Sequence, residues 1–273
     1  MKNNYFEGFY FKHQKGENTL CIIVGKAGAN EFIQVITNDN SWYVPYIKGN
    51  SFTPEGIKLN IKTDELTLAG EIAYHDLSPI KYDIMGPFKF FPMECKHGII
   101  SMYHTLHGSV TLNGRLLDFN GGIGYIEKDS GYSFPESYIW IQANDFTNIN
   151  NASIMASAAS IPFFGFRFKG CICIVNLCSK EYRLATYLGA KIIKCSPHEL
   201  LIKQGRYKLL VTINNESGNI LKAPQNNSMS GTITETASCN ATFKFFVDND
   251  KLFILHSPHA SFEYEDFCSG FMV

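Results

Sequence analysis

The sequence is poor in charge, and no stretch of it carries a dense run of one sign. Charged residues make up 18% of the 273 residues, and 24 Lys and Arg nearly balance 25 Asp and Glu. Proteins that follow a nucleic-acid backbone or an acidic membrane present clustered basic residues to it. We therefore expect no nucleic-acid partner.

Long apolar runs are also missing. No segment reaches the length of a membrane-spanning helix without polar interruption, so we expect no integral membrane segment. The first eleven residues lack the cationic region and the continuous apolar stretch of a secretory signal. From these two absences we predict a cytoplasmic protein.

Motifs for cofactors and metals are absent as well. Residues 25–28, Gly-Lys-Ala-Gly, lack the spacing and the Lys-Ser or Lys-Thr pair of a phosphate-binding loop. Cys171, Cys173 and Cys178 lie close in sequence, but no second close pair follows, and a zinc site needs one. Because Cys171 and Cys173 alternate with isoleucines, we expect them to pack in a strand. We predict no cofactor, no metal site and eight free thiols.

What the sequence does contain is a pattern of strands. Hydrophobic residues make up 45%, with 22 Phe and 14 Tyr. Apolar and polar residues alternate with a period of two through most of the chain, as in residues 57–62, and almost nowhere with the period of a helix. Asn113 and Gly114, between two apolar runs, predict a type I′ hairpin turn. The sequence thus predicts an all-β fold of antiparallel strands.

Two polar stretches interrupt this pattern. Residues 144–153 contain several asparagines and suit a linker between domains, while residues 214–230 are rich in Asn, Gly and Ser and predict a long surface loop. We therefore predict an N-terminal β domain over residues 1–147 and a C-terminal β domain over residues 148–273. No self-similar repeat is visible across this boundary.

One predicted strand, residues 138–144, has two unusual faces. Ile and Ala side chains on one face are typical of a core. The other face carries two large aromatic residues and two amides, which is typical either of a ligand cavity or of an interface between two sheets. Both interpretations stay open for this face, which consists of Tyr138, Trp140, Gln142 and Asn144.

Two further side chains stand out because they share a face with apolar residues. Glu7 lies in an aromatic row with Phe9, where a carboxyl group without a partner has a raised pKa and with a cation such as Lys128 forms an ordinary ion pair. His104 shares a face with Ile100, and such histidines are usually hydrogen-bonded core residues. Both remain candidate acids.

Several separate motifs between residues 5 and 146 resemble the tocopherol cyclase family. The principal blocks are residues 124–131 (Gly-Tyr-Ile-Glu-Lys-Asp-Ser-Gly), 133–135 (Ser-Phe-Pro) and 138–142 (Tyr-Ile-Trp-Ile-Gln). Upstream blocks follow in the family's order, at residues 5–12, 84–88, 93–95 and 104–106. The chain differs from the family at three positions: Phe9 and Ser130 stand where the family has Trp, and Asp145 stands where it has His.

The resemblance implies two lipocalin-like domains, each an antiparallel β-barrel or β-sandwich, packed around an apolar pocket like those of carotenoid hydratases and fungal Diels-Alderases. In the plant cyclases a chromanol ring closes when the phenolic oxygen of a prenylated quinol adds to a protonated alkene of its isoprenoid tail. This chemistry needs an acid, little water and aromatic faces over the developing cation.

We therefore predict a tocopherol cyclase-like protein that holds a prenylated quinol or another isoprenoid in a β-walled pocket and that, if it is an enzyme, is an isomerase. Two alternatives remain, a non-catalytic carrier of a hydrophobic small molecule and a structural joint in which salt bridges satisfy the charged triplet at residues 127–129. The candidate acids are Glu7, Glu127, Asp129, Asp145 and His104, and the candidate ligand-binding residues are Phe9, Tyr125, Tyr138, Trp140, Gln142 and Asn144.

Overall fold

The computed structural model describes residues 5–163, 165–214, 218–225, 228–248 and 250–268. Its strands form two antiparallel sheets of ten strands each. The first sheet follows the order β4-β3-β2-β1-β10-β8-β7-β6-β5, and β9 pairs with β8. Its strands are β1 (Phe6–Lys15), β2 (Asn18–Ala27), β3 (Asn30–Ile36), β4 (Ser41–Pro45), β5 (Ser51–Thr53), β6 (Gly56–Lys62), β7 (Thr67–His75), β8 (Cys95–Leu112), β9 (Arg115–Asp118) and β10 (Gly122–Gly131).

The second sheet follows the order β14-β13-β12-β11-β20-β19-β17-β16-β15, and β18 pairs with β19. Short 3-10 turns lie at Gly86–Phe90 and Thr186–Leu188. The strands of the second sheet are β11 (Tyr138–Ala143), β12 (Ala152–Phe163), β13 (Phe166–Leu177), β14 (Lys180–Ala185), β15 (Lys191–Ser196), β16 (Glu199–Gln204), β17 (Tyr207–Asn214), β18 (Asn219–Gln225), β19 (Ser228–Val247) and β20 (Asp250–Glu265).

The two sheets follow nearly the same path, although the sequence shows no repeat. In each sheet the first strand lies between the second and the tenth, and each contains one very long strand, β8 or β19, with a short hairpin partner. The partner follows the long strand in the first sheet and precedes it in the second. The structural repeat therefore lies in the order of the strands.

Local sequence accounts for much of this architecture. In β6 the apolar residues Ile57, Leu59 and Ile61 are buried and alternate with exposed polar residues. Asn113 and Gly114 both adopt positive φ angles, +47° and +83°, at the hairpin between β8 and β9, as a type I′ turn requires. The prediction of an all-β antiparallel fold is confirmed.

Three apolar clusters hold the molecule together. One consists of residues of the first sheet and its connecting loops, and a second consists of residues of the second sheet and the segments that adjoin it. The third, which we call the joint, contains residues of both sheets and closes the space between them. Its buried members are Tyr10, Cys21, Ile36, Ile84, Met85, Met93, Ile99, Met102, Tyr125, Tyr138, Trp140, Met155, Ile174, Leu221, Ala223, Ile233 and Ala237.

The position where the chain passes from one sheet to the other lies between Gly131 and Tyr138. The interdomain linker was predicted over residues 144–153. Residues 144–151 connect β11 and β12, which pair with each other inside the second sheet, and residues 152–153 begin β12. The domain boundary at residue 147 stays a prediction, because membership of a sheet does not by itself define a domain.

The long loop predicted over residues 214–230 is wrong for residues 219–225, which form β18. Leu221 and Ala223 alternate on the buried side of this strand and pack in the joint. The surrounding Asn and Ser residues conceal this short alternation in the sequence. Residues 215–217 and 226–227 lie outside the described residues.

None of the helical turns within the described ranges has the length and apolar character that a membrane crossing requires.

The prediction of eight free thiols is also wrong, because Cys195 and Cys268 form a disulfide with a Cα–Cα distance of 5.5 Å. The two cysteines are 73 residues apart in sequence, and only the fold brings β15 next to the chain that follows β20. Cys171 and Cys173 are buried in β13, in the strand packing that their alternation predicted. The free cysteines are Cys21, Cys95, Cys171, Cys173, Cys178 and Cys239.

This pairing predicts the outcome of a thiol titration. The unfolded, unreduced protein is expected to expose six reactive thiols, and prior reduction is expected to raise the number to eight. A Cys195→Ser variant should add one titratable thiol, that of Cys268, without reduction. Eight thiols in the unreduced parent would contradict the disulfide.

Candidate active site in the joint

An apolar cavity lies in the joint, and both sheets contribute to its wall. Five acidic or basic side chains interrupt the apolar wall: His97, Glu127 and Asp129 from the first sheet, Glu263 from the second, and Glu94, which precedes β8. An apolar cavity with a few convergent polar groups is typical of a site for a small molecule. The apolar lining includes Met85, Phe88, Met93, Phe134, Trp140 and Phe168.

The pairing of β8 with β10 explains how the first three ionisable groups meet. Asp129 lies directly opposite His97, and Glu127 lies two residues away on the same face. The His97 Nδ1 atom is 2.9 Å from Asp129 Oδ1, and its Nε2 atom is 3.4 Å from Glu127 Oε2. The Tyr125 hydroxyl, also on this face, donates a 2.6 Å hydrogen bond to Glu127 Oε2. One histidine thus bridges two carboxyl groups.

In the second sheet, a single row across the strands holds the corresponding groups. Glu235 on β19 lies opposite Glu263 on β20, and Glu263 lies opposite Trp140 on β11. The Tyr138 hydroxyl donates a 2.6 Å hydrogen bond to Glu263 Oε2, and the Tyr10 hydroxyl donates a 2.7 Å hydrogen bond to Glu235 Oε1. Glu127, Glu235 and Glu263 therefore each accept a hydrogen bond from a tyrosine.

Burial makes these carboxyl groups weak acids. Desolvation raises the pKa of Glu127 to about 7, against the lowering effect of His97. Desolvation likewise raises the pKa of Glu235 and of Glu263 to about 8. Burial lowers the pKa of His97, but the charges of Glu127 and Asp129 outweigh it and bring that pKa to about 9. At pH 7 these values leave His97 as an imidazolium, Glu127 about half protonated, and Glu235 and Glu263 mostly protonated.

The charged triplet at residues 127–129 divides between the two faces of β10. Lys128 forms an ion pair with Glu7 on the face away from the cavity. Among the described residues, Glu127 and Asp129 share His97 as their only cationic partner. One imidazolium balances only one carboxylate, so the charge of Asp129 adds to the desolvation that raises the pKa of Glu127.

Four of the predicted residues line the apolar cavity: Glu127, Asp129, Tyr138 and Trp140. Tyr125 stands behind Glu127 and holds it through the hydrogen bond described above. From the sequence, the aromatic face of β11 could line a cavity or lie at an interface between sheets. In the structure Tyr138 and Trp140 do both, since they line the apolar cavity and pack between the two sheets.

Gln142 and Asn144 continue the same face but lie outside the apolar cavity. Gln142 is completely buried, and neither polar atom of its amide has a hydrogen-bond partner among the described residues. The Asn144 Nδ2 group donates a 2.8 Å hydrogen bond to the carbonyl of Gly124 in the first sheet. This hydrogen bond connects the two sheets. One end of the β11 face therefore lines the cavity, and the other end contacts the first sheet directly.

Two other candidates, Glu7 and Phe9, lie on the opposite face of the first sheet. Glu7 has two cationic neighbours, Lys128 and, at 3.8 Å, Lys26. The Lys128 Nζ atom lies 4.9 Å from the centre of the Phe9 ring, which packs on the first sheet's core and borders a smaller cavity next to the main one. The ion pair of Glu7 with Lys128 is one of the two alternatives that the sequence left open for this carboxyl group.

His104 and Asp145 also lie outside the apolar cavity. His104 is fully buried against Tyr74, at 4.5 Å between ring centres, and burial lowers its pKa to about 3. Its imidazole is therefore neutral and cannot act as an acid at neutral pH. Asp145 borders a separate polar cavity, where its Oδ2 atom is 3.9 Å from His259 Nε2.

Three side chains of the first sheet have ligand atoms close enough to share a metal ion. Atoms of His97, Glu127 and Asp129 lie within 4.8 Å of one another. In the structure Asp129 and Glu127 flank the His97 imidazole, and the Tyr125 hydroxyl donates a hydrogen bond to Glu127.

Sequence reasoning missed three side chains of the cavity wall, Glu94, His97 and Glu263, and also Glu235, which lies opposite Glu263 but outside the wall. His97 lies two residues after the Met-Glu-Cys block, and only the pairing of β8 with β10 brings it to Asp129. A signal was present for Glu235, which alternates with Ile233 and Ala237 on one apolar face. A carboxyl group in such a row is a candidate buried acid, as Glu7 is in its aromatic row.

Comparisons with known proteins agree with this architecture. The profile of the family described as tocopherol cyclase-like matches residues 67–263 of this chain. No curated protein sequence matches the chain.

Three solved structures share the fold over nearly the whole chain. Kievitone hydratase from Nectria haematococca aligns with a TM-score of 0.56 and 11% identity, covering 97% of this chain and 89% of its own. CghA aligns with a TM-score of 0.59 and 7% identity, covering 98% and 90%. A protein described as AttH from Nitrosomonas europaea aligns with a TM-score of 0.50 and 10% identity, covering 96% and 92%. These identities show the fold alone, whereas the profile match spans most of the sequence. The chain belongs to the tocopherol cyclase-like family.

Proposed function

We propose that the protein binds a prenylated quinol or another isoprenoid in the apolar cavity and catalyses its acid-promoted intramolecular cyclisation, as an isomerase. The observation that carries the proposal is the position of Glu127, a carboxyl group with a pKa of about 7 in the wall of an apolar cavity. A general acid works best when its pKa lies near the working pH. Family membership supports the same assignment.

Glu127 is suited to the role of proton donor. Its Oε2 atom accepts the hydrogen bond of Tyr125, and its Oε1 atom has no hydrogen-bond partner among the described residues. Its proton passes to one carbon of a trisubstituted alkene, which leaves a tertiary cation. The phenolic oxygen then bonds to that cation, and the proton that the oxygen releases restores the carboxylic acid. No net proton is consumed, so the reaction is an isomerisation.

Other residues of the wall hold the reacting groups. The rings of Trp140 and Tyr138 line the cavity, where aromatic faces stabilise a developing cation. The indole Nε1 atom of Trp140 is buried without an acceptor among the described residues, and an unsatisfied donor at a cavity is typical of a ligand site. Glu263 supplies a carboxyl group from the second sheet to the same wall.

The two alternatives make different demands on these residues. A structural joint requires that salt bridges satisfy the whole triplet, and the pairs Lys128–Glu7 and Asp129–His97 meet part of that requirement. Glu127 does not meet it, because it shares His97 with Asp129. A carrier needs the cavity but no acid, so the replacement of Glu127 separates a carrier from an enzyme.

Ligand binding is tested through Trp140, since Trp42 is the only other tryptophan of the chain. In a Trp42→Phe variant, adding a prenylated quinol analogue is expected to change the fluorescence saturably, because Trp140 lines the cavity. Mass spectrometry of apolar molecules that copurify with the protein provides an independent measurement.

The matched control is a Trp140→Phe variant, which keeps only the Trp42 signal and is expected to show no saturable change. If the Trp42→Phe variant binds the analogue, measured by equilibrium dialysis, without a fluorescence change, then Trp140 does not contact the ligand. If neither assay detects binding, the structural joint becomes the better interpretation.

The cytoplasmic location predicted from the sequence remains part of this proposal. The Cys195–Cys268 disulfide weighs against it, because cytosolic thiols are normally kept reduced. Cell fractionation combined with thiol labelling before lysis tests both points together.

A further inference from the structure

Exposed apolar side chains cluster beside the cavity. Phe90 is 80% exposed, Phe166 is 57% exposed and Leu188 is 45% exposed. They come from three separate segments, the turn Gly86–Phe90, the start of β13 and the turn Thr186–Leu188. We call these three residues the rim. Soluble surfaces rarely place large apolar side chains together without a partner.

Each residue of the rim is close in sequence to a residue of the cavity wall. Phe88, Phe168 and Tyr187 line the cavity, one or two positions from Phe90, Phe166 and Leu188, respectively. The Phe88 ring centre lies 6.0 Å from that of Phe168 and 6.3 Å from that of Tyr187, so the three segments meet at this end of the cavity. The three segments that carry the rim therefore also form the cavity wall at this end.

Basic residues accompany the rim. The Lys89 Nζ atom lies 5.0 Å from the centre of the Phe90 ring, and the Lys96 Nζ group donates a 2.9 Å hydrogen bond to the Lys89 carbonyl. Neither lysine forms an ion pair with a residue that the structure describes. Their charges are therefore available to an anionic partner.

We propose that the rim docks on the surface of an anionic phospholipid bilayer and that the cavity takes up its ligand from there. Aromatic side chains favour the boundary between headgroups and acyl chains, and neighbouring lysines keep their ammonium groups at the phosphates. The docking step stands on the rim and its lysines, and the uptake step rests on the proposed function. The protein lies on the bilayer without crossing it.

A second copy of the chain fits the rim less well. A symmetric contact would bring Lys89 and Lys96 of both copies to the same interface, where each would need an acidic partner. One exposed acid at this end, Glu136, already pairs with Arg167 at 3.3 Å. A bilayer supplies anionic groups on one side and apolar chains below them, and so matches both features of the rim.

Vesicle flotation tests the docking step without any isoprenoid. The protein is expected to float with vesicles of equimolar phosphatidylcholine and phosphatidylglycerol. A double variant Phe90→Ser/Phe166→Ser is expected to lower the bound fraction about tenfold or more, because the bilayer contact loses two phenyl groups that would be buried among the lipids. A Lys89→Glu/Lys96→Glu variant is expected to lose binding to anionic vesicles.

The matched control replaces exposed apolar residues elsewhere. Leu116 and Ile220 are 63% and 71% exposed on β9 and β18, and their neighbours in sequence do not line the cavity. A Leu116→Ser/Ile220→Ser variant is expected to float like the parent. Because all four apolar positions are exposed, thermal unfolding should show both serine variants folded.

Three outcomes would overturn the proposal. These are a parent protein that binds no vesicles, a rim variant that floats as well as the parent, and a parent whose self-association, measured by sedimentation, depends on Phe90 and Phe166. The Trp140 fluorescence test uses detergent-dispersed quinol and needs no bilayer. A protein that passes that test but fails flotation refutes docking alone, and the reverse result refutes the proposed function alone.

Discussion

Replacing Glu127 with glutamine is expected to lower the rate of quinol cyclisation by about 100-fold to 10,000-fold, the usual contribution of a general acid. Glutamine keeps the size of the side chain and can still accept the Tyr125 hydrogen bond, but it has no carboxyl proton to transfer. Affinity for the quinol is expected to stay within about threefold, because the apolar wall is unchanged. The measurement combines product formation from a geranylgeranyl quinol with the Trp140 fluorescence titration.

The matched control for this variant is Glu235→Gln. Glu235 is also fully buried and also accepts a tyrosine hydrogen bond, but it is not part of the wall of the apolar cavity. Its replacement is expected to leave the rate close to that of the parent. A parent that binds the quinol and releases it unchanged would favour the carrier. Full activity in a Glu127→Gln variant would show that Glu127 is not the acid, and Glu263 would then be the candidate proton donor.

The fold class could be predicted from the sequence because a period of two is a local property. Ile57, Leu59 and Ile61 identify a strand without knowledge of its neighbours, and Asn113-Gly114 identifies its turn. The Cys195–Cys268 disulfide depends instead on which distant strands become neighbours. Alternation in one strand carries no information on that pairing.

The site divides in the same way. Glu127 and Trp140 were predicted because they lie in motifs of a recognisable family, whereas His97 and Glu263 complete the site through cross-strand pairing. Glu7 and Glu127 illustrate the limit most clearly. Both are acids near aromatic residues, but β10 places Lys128 next to Glu7 on one face and turns Glu127 toward the cavity on the other. Only the structure distinguishes these two environments. The rim could not be predicted from the sequence for a related reason, because its residues come from three separate segments.

The ionisable groups of the joint predict that the protein loses stability in alkaline solution. Glu235 and Glu263, with pKa values of about 8, and His97, with a pKa of about 9, hold protons in the folded state that the unfolded chain has already released. The folded state therefore binds more protons, and the free energy of unfolding falls as pH rises. Burial lowers the pKa of His13 to about 4, and that of His104 to about 3, so these histidines have the opposite effect, but only below about pH 6.5.

Between about pH 6.5 and pH 9 the free energy of unfolding is therefore expected to fall by several kcal/mol, since each pKa unit corresponds to about 1.4 kcal/mol. Burial lowers the pKa of Lys12, so this residue has the opposite effect on the free energy of unfolding. It reduces the fall without reversing it, because the one proton of Lys12 is opposed by the three carboxyl protons of residues 127, 235 and 263. Urea unfolding at both pH values measures the change. A Glu235→Gln variant should show a smaller fall than the parent, because it has no proton to lose at that position, whereas Glu55→Gln, at an exposed position, should match the parent. A free energy of unfolding that stays constant or rises across this range would show that the carboxyl groups of the joint are ionised at neutral pH, and Glu127 would then have no proton to give.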